Sequence, residues 1–303
     1  MKQSKILFSG LANAGKTSIL KILDNNLEEI SNLRPTQGVQ HTDYKVMGLN
    51  TVVWDMGGQI SYRQRYLLDF EKYFQSTNVL FYVIDVQAEQ FYNETADFLK
   101  AIIKGLEKLN VEGIFVPVLW HKYDPHIQTK KHELEQKLAP LRAKVEKILS
   151  KTPHAYFETS IYEPYTIFFA FSKGLMQQVT QGEVIAQKMQ ELAAEFNSQG
   201  AVLLASGGYT YGAWHSKEVQ LVDLAKFNRI VNDYARVLVD GSFSDYVILP
   251  LTDTADIAAI TFTAGDQLVT CCIMAPISRN SERFSKELLT KVEDLQKILE
   301  VVS

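Results

Sequence analysis

Gly10-Leu11-Ala12-Asn13-Ala14-Gly15-Lys16-Thr17-Ser18 decides how this chain reads, because it fits the spacing G-x-x-x-x-G-K-[ST] in full. Its setting gives the match meaning. Residues 5–9 ahead of it form a short apolar run that reads as a buried strand. Behind it, Ile19, Leu20, Ile22, Leu23 and Leu27 recur at helical spacing. A strand turning through such a loop into a helix start aims consecutive backbone N–H groups, and the positive end of the helix dipole, at one point. That arrangement holds a polyphosphate. The residues expected on the phosphates are Gly10, Asn13, Ala14, Gly15, Lys16, Thr17 and Ser18. A Cβ at Gly15 is expected to meet the β-phosphate. Lys16 is expected to span the β- and γ-phosphates, with the Thr17 hydroxyl on Mg²⁺.

Around this loop, 303 residues allow two ordinary domains, each with a core. A net charge of −4 without a long basic run gives no electrostatic case for nucleic acid as a partner. The two cysteines, Cys271 and Cys272, are adjacent on an expected strand. They therefore point to opposite faces, which disfavours a mutual disulfide or shared metal and suits a reducing compartment. The start carries no secretory pattern, residue 2 is not the Gly that myristoylation needs, and the end lacks a prenylatable Cys. No apolar run approaches the ~18 residues of a spanning helix. The expectation is a cytoplasmic protein without direct membrane insertion, held at any membrane by something else.

The first half alternates strand and helix, the pattern of an α/β doubly wound, mostly parallel sheet. Expected strands cover 5–9, 44–47, 51–55, 79–85, 114–120 and 154–159. Helices follow the phosphate loop and cover 62–75, 91–109, 128–150 and 163–180. Gly48-Leu49-Asn50 reads as the turn of the one hairpin. Character changes near Gln181-Gly182, dividing the chain into domains 1–182 and 183–303. In the second, Ile185, Met189, Leu192, Ala193 and Phe196 make an amphipathic helix. Two strands follow, 201–206 and 209–214, turning at Gly207-Gly208, and then a helix over 217–239. Three more strands, 243–250, 255–263 and 267–274, precede a last helix over 282–301. The result is an α+β layer of helices on an antiparallel sheet.

Val52-Val53-Trp54-Asp55-Met56-Gly57-Gly58-Gln59 is the second chemical stretch. A strand ending in Asp55 can hold Mg²⁺ through a water, Gly58 can offer its N–H to a γ-phosphate, and Gln59 can orient an attacking water. Between the two stretches, Thr36 in Arg34-Pro35-Thr36-Gln37-Gly38 can complete the Mg²⁺ shell when a γ-phosphate is present, or stand as a solvated turn residue. The third stretch, Trp120-His121-Lys122-Tyr123-Asp124, closes an apolar strand where open α/β sheets place ligands. Asp124 can accept from N1–H and the 2-amino group of guanine, whereas adenine offers neither donor. Lys122 can cover the purine, and His121 stands beside the base or as an ordinary strand-end histidine. Thr159, Ser160 and Ile161 can bring a backbone N–H to the guanine carbonyl.

With these residues in place the chain resembles a small GTPase, and W-D-x-G-G-Q is similar to the Arf-like and Rag-like branches. His121-Lys122-Tyr123-Asp124 and Thr159-Ser160-Ile161-Tyr162 resemble the H-K-x-D and T-S-I-[YW] forms of the Rag/Gtr family. The resemblance implies a P-loop GTPase domain followed by a roadblock (longin-like) domain. It also implies GTP/GDP exchange with Mg²⁺ and dimerisation, with itself or a paralogue, through residues 183–303. Partners by the same resemblance are GTPase-activating and exchange factors and roadblock scaffold proteins that recruit it peripherally to an endolysosomal membrane. Ala12 stands where many GTPases have Gly. Arg34 reads either as a built-in arginine finger or as a solvated loop residue. Two further readings differ in kind: a nucleotide-dependent scaffold with little hydrolysis, and an ATP-using enzyme.

Overall fold

The computed structural model describes residues 3–111, 113–179, 182–237, 246–265, 267–276 and 281–302. Packing separates two units, residues 1–45 with 50–170, and residues 46–49 with 171–303. In the first, the strands are β1 (Ser4–Gly10), β2 (Val39–Val46), β3 (Leu49–Met56), β4 (Val79–Asp85), β5 (Val116–His121) and β6 (His154–Thr159). They stand in the order β2-β3-β1-β4-β5-β6. The pairs β1–β3, β1–β4, β4–β5 and β5–β6 are parallel, so the loops leaving β1, β3, β4, β5 and β6 gather at one edge. Ile6, Leu7 and Phe8 on β1 and Val79 to Ile84 on β4 are buried, as central strands covered on both faces require. Phe8 and Phe81 are register partners, and their rings stack 4.7 Å apart.

The helices are α1 (Lys16–Leu23), α2 (Ile60–Leu68), α3 (Phe70–Phe74), α4 (Tyr92–Lys108), α5 (Lys131–Leu149) and α6 (Pro164–Met176). Leu99, Ile102 and Leu106 of α4 share one apolar core with Leu138, Leu141 and Val145 of α5, and with Tyr82 and Trp120 of the sheet.

Several boundaries differ from expectation for physical reasons. β2 begins five residues early because it is the exposed sheet edge, where His41, Thr42 and Asp43 carry no apolar signal. The hairpin turns at Met47-Gly48 rather than 48–50. Both residues have positive φ (55° and 75°), the sense that matches strand twist. The single helix expected over 62–75 breaks at Asp69 (φ −99°, ψ 45°). Beyond the break Phe70 seats against Gly105 of α4, where any Cβ would lie 2.4 Å from its ring. A 3₁₀ turn, Pro125–Lys130, precedes α5. The expected end of the helix over 163–180, Thr180, lies outside the described residues.

The second unit contains α7 (Gly182–Glu195), β7 (Gly200–Ala205), β8 (Thr210–His215), α8 (Leu221–Val237), β9 (Tyr246–Pro250), β10 (Ala255–Ala264), β11 (Gln267–Pro276) and α9 (Ser281–Val302). Its sheet runs β8-β7-β11-β10-β9, antiparallel throughout. Phe227, Val231 and Ala235 of α8 pack on Val202, Leu204, Ile257, Ala259, Cys272 and Met274. The opposite face takes α7 and α9, and the ring of Phe196, just past the end of α7, lies 5.1 Å from that of Phe284 on α9. Cys271 and Cys272 are both free and buried. Gly207-Gly208 lies in a 3₁₀ turn, Ser206–Gly208, rather than a two-residue hairpin turn. Asn232 of α8 donates to the Gly208 carbonyl at 2.7 Å, and a Cβ at Gly208 would meet its amide.

The packing division falls at 170/171, inside α6, instead of at the compositional change near 182. The last turns of α6 belong with the second unit. There Ser172 Oγ accepts the Thr210 N–H at 2.8 Å and Phe171 lies beside the Tyr209 ring. Residues 238–239 of one expected helix, 243–245 of one expected strand, and Asp266 between the last two expected strands lie outside the described residues. Among the described residues no helix is long and apolar enough to cross a membrane.

Candidate functional site

At the gathering edge, β1 runs through the glycine loop into α1. Gly15 is the N-cap of α1 with φ 96°, a backbone that L side chains rarely adopt. A Cβ there would strike the His121 ring, with Cδ2 at 2.4 Å. Lys16 folds back over the loop, and its Nζ donates to the carbonyls of Leu11 at 2.8 Å and Gly10 at 3.2 Å. Burial lowers the Lys16 pKa to about 8, with Asp55 opposing and Arg63 adding to the effect. Asn13, at φ 60°, is exposed on the loop, Ala14 is buried beneath it, and Ser18 lies half-buried one residue beyond Thr17.

Three oxygens from three separate stretches converge next to Lys16. Thr17 Oγ1 and Thr36 Oγ1 are 2.8 Å apart, and they reach Asp55 Oδ2 at 2.7 and 3.0 Å respectively. The other carboxylate oxygen of Asp55, Oδ1, is buried and finds no partner among the described residues. Octahedral Mg²⁺ with ligands at about 2.0–2.1 Å sets neighbouring ligand oxygens about 2.9 Å apart, so the two hydroxyls are spaced as adjacent ligands. An orphaned carboxylate oxygen beside them suits a metal-bound water. These residues fit Mg²⁺: Thr17 and Thr36 would hold it, with Asp55 behind, and the ion would supply positive charge to phosphate oxygens.

The Gly57-Gly58 turn closes on the same loops. Gly57 N–H donates to Gly38 O at 2.8 Å, and Tyr66 OH donates to the same carbonyl at 2.7 Å. A Cβ on Gly58 would lie 2.3 Å from the carbonyl carbon of Leu11, so the turn rests directly on the glycine-loop backbone. Gln59 follows as the N-cap of α2, exposed, with no side-chain cap bond.

The ends of β5 and β6 form the other half. His121 is buried, its Nδ1 is 2.9 Å from Thr159 Oγ1, and burial lowers its pKa to about 4, so it is neutral near pH 7. It thereby touches the glycine loop through Gly15 and the β6 end through Thr159. Asp124 is also buried. Ser160 Oγ donates to its Oδ1 at 2.6 Å and Gln87 Nε2 to its Oδ2 at 3.0 Å. A carboxylate has about four acceptor sites, so two remain for a ligand. Lys122 (φ 62°) pairs with Asp85 at 2.6 Å, and Gln87 also donates to the Lys122 carbonyl. Ile161 is half-buried beside Ser160, whose Oγ accepts the N–H of Tyr162.

The conserved region of Gtr1/RagA G proteins matches residues 5–233, about three quarters of the chain. This chain belongs to the Gtr1/RagA G-protein family. Among curated relatives, ADP-ribosylation factor-like protein 3 of Chlamydomonas reinhardtii is 35% identical over 122 residues, covering 40% of this chain and 64% of that protein. Ras-related GTP-binding protein C of Homo sapiens is 30% identical over 183 residues, covering 58% of this chain and 44% of that protein. The chain thus spans roughly half the length of the relatives it matches. Among solved structures, the Arl6 BBS3 small GTPase of Trypanosoma brucei with bound GppNp aligns at TM-score 0.45 and 17% identity, covering 57% of this chain and 96% of that one.

Two clefts flank the glycine loop of this Gtr1/RagA-family chain. One, of about 330 Å³, is lined by Lys16, Thr17, Ser18, Thr36, Gly58 and Gln59 together with Leu33, Arg34 and Pro35. The other, of about 260 Å³, lies between Asn13 and Ala14 on one side and Asp85, Gln87 and Lys122 on the other. Gly10 lies under the loop, where a Cβ would strike Val83 O at 2.3 Å. Every sequence-expected site residue therefore lies on or beside the β-strand edge. Sequence reading missed Asp85, Gln87 and Arg63. For the first two a signal existed: Asp85 ends a fully apolar strand, at the edge where such sheets place ligands. For Arg63 no local signal existed.

Proposed function

We propose that this chain is a guanine-nucleotide switch that hydrolyses GTP to GDP and phosphate. The observation that carries the reading is the meeting of Thr17, Thr36 and Asp55. Thr36, from a connecting loop, reaches the metal position through its hydroxyl, so what occupies that position bears directly on the loop. Mg²⁺-GTP would order the Thr36 loop and the Gly58-Gln59 turn, and hydrolysis by water oriented by Gln59 would release both. Asp124, with acceptor capacity left beside Ser160, supports guanine over adenine. Exposure of Gln59 supports slow intrinsic turnover, on the order of 10⁻⁴–10⁻² per second, raised by a GTPase-activating protein. For the second unit we infer a roadblock (longin-like) domain that dimerises and docks on roadblock scaffolds at an endolysosomal membrane. Its succession of helix, two strands, helix, three strands and helix supports this. Measuring bound nucleotide and mass of the purified protein together tests the reading. Guanine nucleotide in a dimer supports it, and protein that ignores guanosine phosphates at micromolar concentration with Mg²⁺ rejects it.

The same exposure of Gln59 favours a second reading, a nucleotide-dependent scaffold that barely hydrolyses. Single-turnover phosphate release with an added GTPase-activating protein separates the two: a burst argues against the scaffold.

A further inference from the structure

Arg63 lies on the first turn of α2, and no motif singles it out. Its Nε donates to the carbonyl of Gly58 at 2.9 Å, and its own backbone N–H donates to the carbonyl of Gln59 at 3.0 Å. Arg63 therefore holds the peptide carbonyls on both sides of Gln59. Its Nη2 pairs with Glu94 Oε1 on the first turn of α4, and the guanidinium carbon stands 5.1 Å from the centre of the Phe98 ring. The Arg63 side chain is only 11% exposed.

We propose that Arg63, anchored by Glu94, is a positioning latch that holds the Gly58 carbonyl, steadies the turn whose Gly58 N–H faces the γ-phosphate, and couples GTP, but not GDP, to α4. This rests on the guanine-nucleotide reading above. The physical argument starts from Gly58. It lacks a Cβ, so no side chain of its own locks its backbone. A trans peptide is planar, so holding the Gly58 oxygen also sets the direction of the Gln59 N–H and the exit of its side chain. The guanidinium is a rigid fork that serves Gly58 along one edge and Glu94 along the other. A lysine, as a point charge on a flexible stem, cannot do both. Because the fork is already engaged by protein groups, Arg63 positions other residues and does not itself touch phosphate. Glu94 carries the connection out of the nucleotide site: displacing α4 pulls the turn, and ordering the turn pulls α4.

The test uses the full chain with Mg²⁺ and compares wild type with Arg63→Ala, Arg63→Lys, Glu94→Gln and the double Arg63→Ala/Glu94→Gln. Affinities for GDP and GTPγS are measured alongside single-turnover GTP hydrolysis. The latch predicts that GTPγS affinity and the hydrolysis rate constant fall about tenfold or more in the single variants, Arg63→Lys included, the loss expected for a charge-assisted bond. GDP affinity stays within about twofold, and the double variant is no worse than Arg63→Ala, because the pair acts as one unit. Variants that keep the wild-type GTP-to-GDP preference and rate overturn the latch. So does an equal loss of both affinities, which is general damage to the fold. Where Arg63→Ala fails to fold, the near-isosteric Glu94→Gln carries the same comparison. Wild-type protein that takes up neither nucleotide overturns the switch reading itself, and the latch with it.

Discussion

Gln59 and Lys16 have opposite standing in the site. Gln59 is exposed and commits its side chain to no cap bond, and in the proposed mechanism it acts only when water attacks. Gln59→Leu should therefore lower GTP hydrolysis at least tenfold while leaving GTP affinity nearly intact. Unchanged single-turnover rates would remove Gln59 from the mechanism. Lys16 is buried and already tied to the Leu11 and Gly10 carbonyls, with its pKa lowered to about 8. A bound polyphosphate favours the charged form, so binding above pH 8 must take up a proton. Nucleotide affinity should be flat from pH 6.5 to 7.5 and weaken above pH 8, by up to about tenfold per unit. Titrations of a fluorescent guanine nucleotide across pH 7–9.5 check this, and a flat profile to pH 9.5 sinks it. The sign for folding is the reverse. A lysine whose folded pKa lies below its unfolded value costs stability below pH 8, and that cost is relieved as pH rises from about 8 to 10.5.

The elements show which local preferences the fold overrides. α5 continues from Lys131 to Leu149 with Pro140 inside it, exposed, where it removes one helix hydrogen bond. Pro140→Ala should restore that bond and stabilise the protein by roughly 1–3 kcal/mol, seen as a rise in Tm of several degrees. A lower Tm would mean that the proline ring is part of the packing there. β2 and the break at Asp69 were hidden in the sequence for opposite reasons. β2 is an edge strand whose polar residues face water, so alternation is absent. The α2–α3 break answers to a distant residue, Gly105, whose missing side chain leaves room for Phe70. By contrast, β1, β4 and β5 were legible because strands covered on both faces must be apolar throughout.

At the scale of the whole chain, two units have separate cores. The first gathers the candidate-site residues at one sheet edge. The second has a five-stranded antiparallel sheet whose outer strands, β8 and β9, each pair on one side only among the described residues. Among its exposed apolar side chains are Val222 on α8 and Ile248 on β9. An open edge and an apolar surface are what a like domain covers, so the full chain should run as a dimer in light scattering at micromolar concentration. Ile248→Lys, placing a charge on the β9 edge, should shift it toward monomer without changing nucleotide affinity. A monomeric wild type at those concentrations would remove dimerisation from the account.

The sequence alone located the candidate-site residues that lie in contiguous stretches: the glycine loop, the Asp55–Gln59 turn, the His121–Asp124 stretch and the Thr159–Ile161 end. In each, backbone and side chains a few positions apart act together, so spacing suffices to find them. Only the tertiary structure decided what reaches across those stretches. His121 fills the space that Gly15 leaves, Gln87 joins Ser160 on Asp124, and Arg63 ties Gly58 to Glu94. Such contacts join residues 5 to 106 positions apart, and no local period or motif encodes a distance that the folding of the sheet alone brings to bonding range.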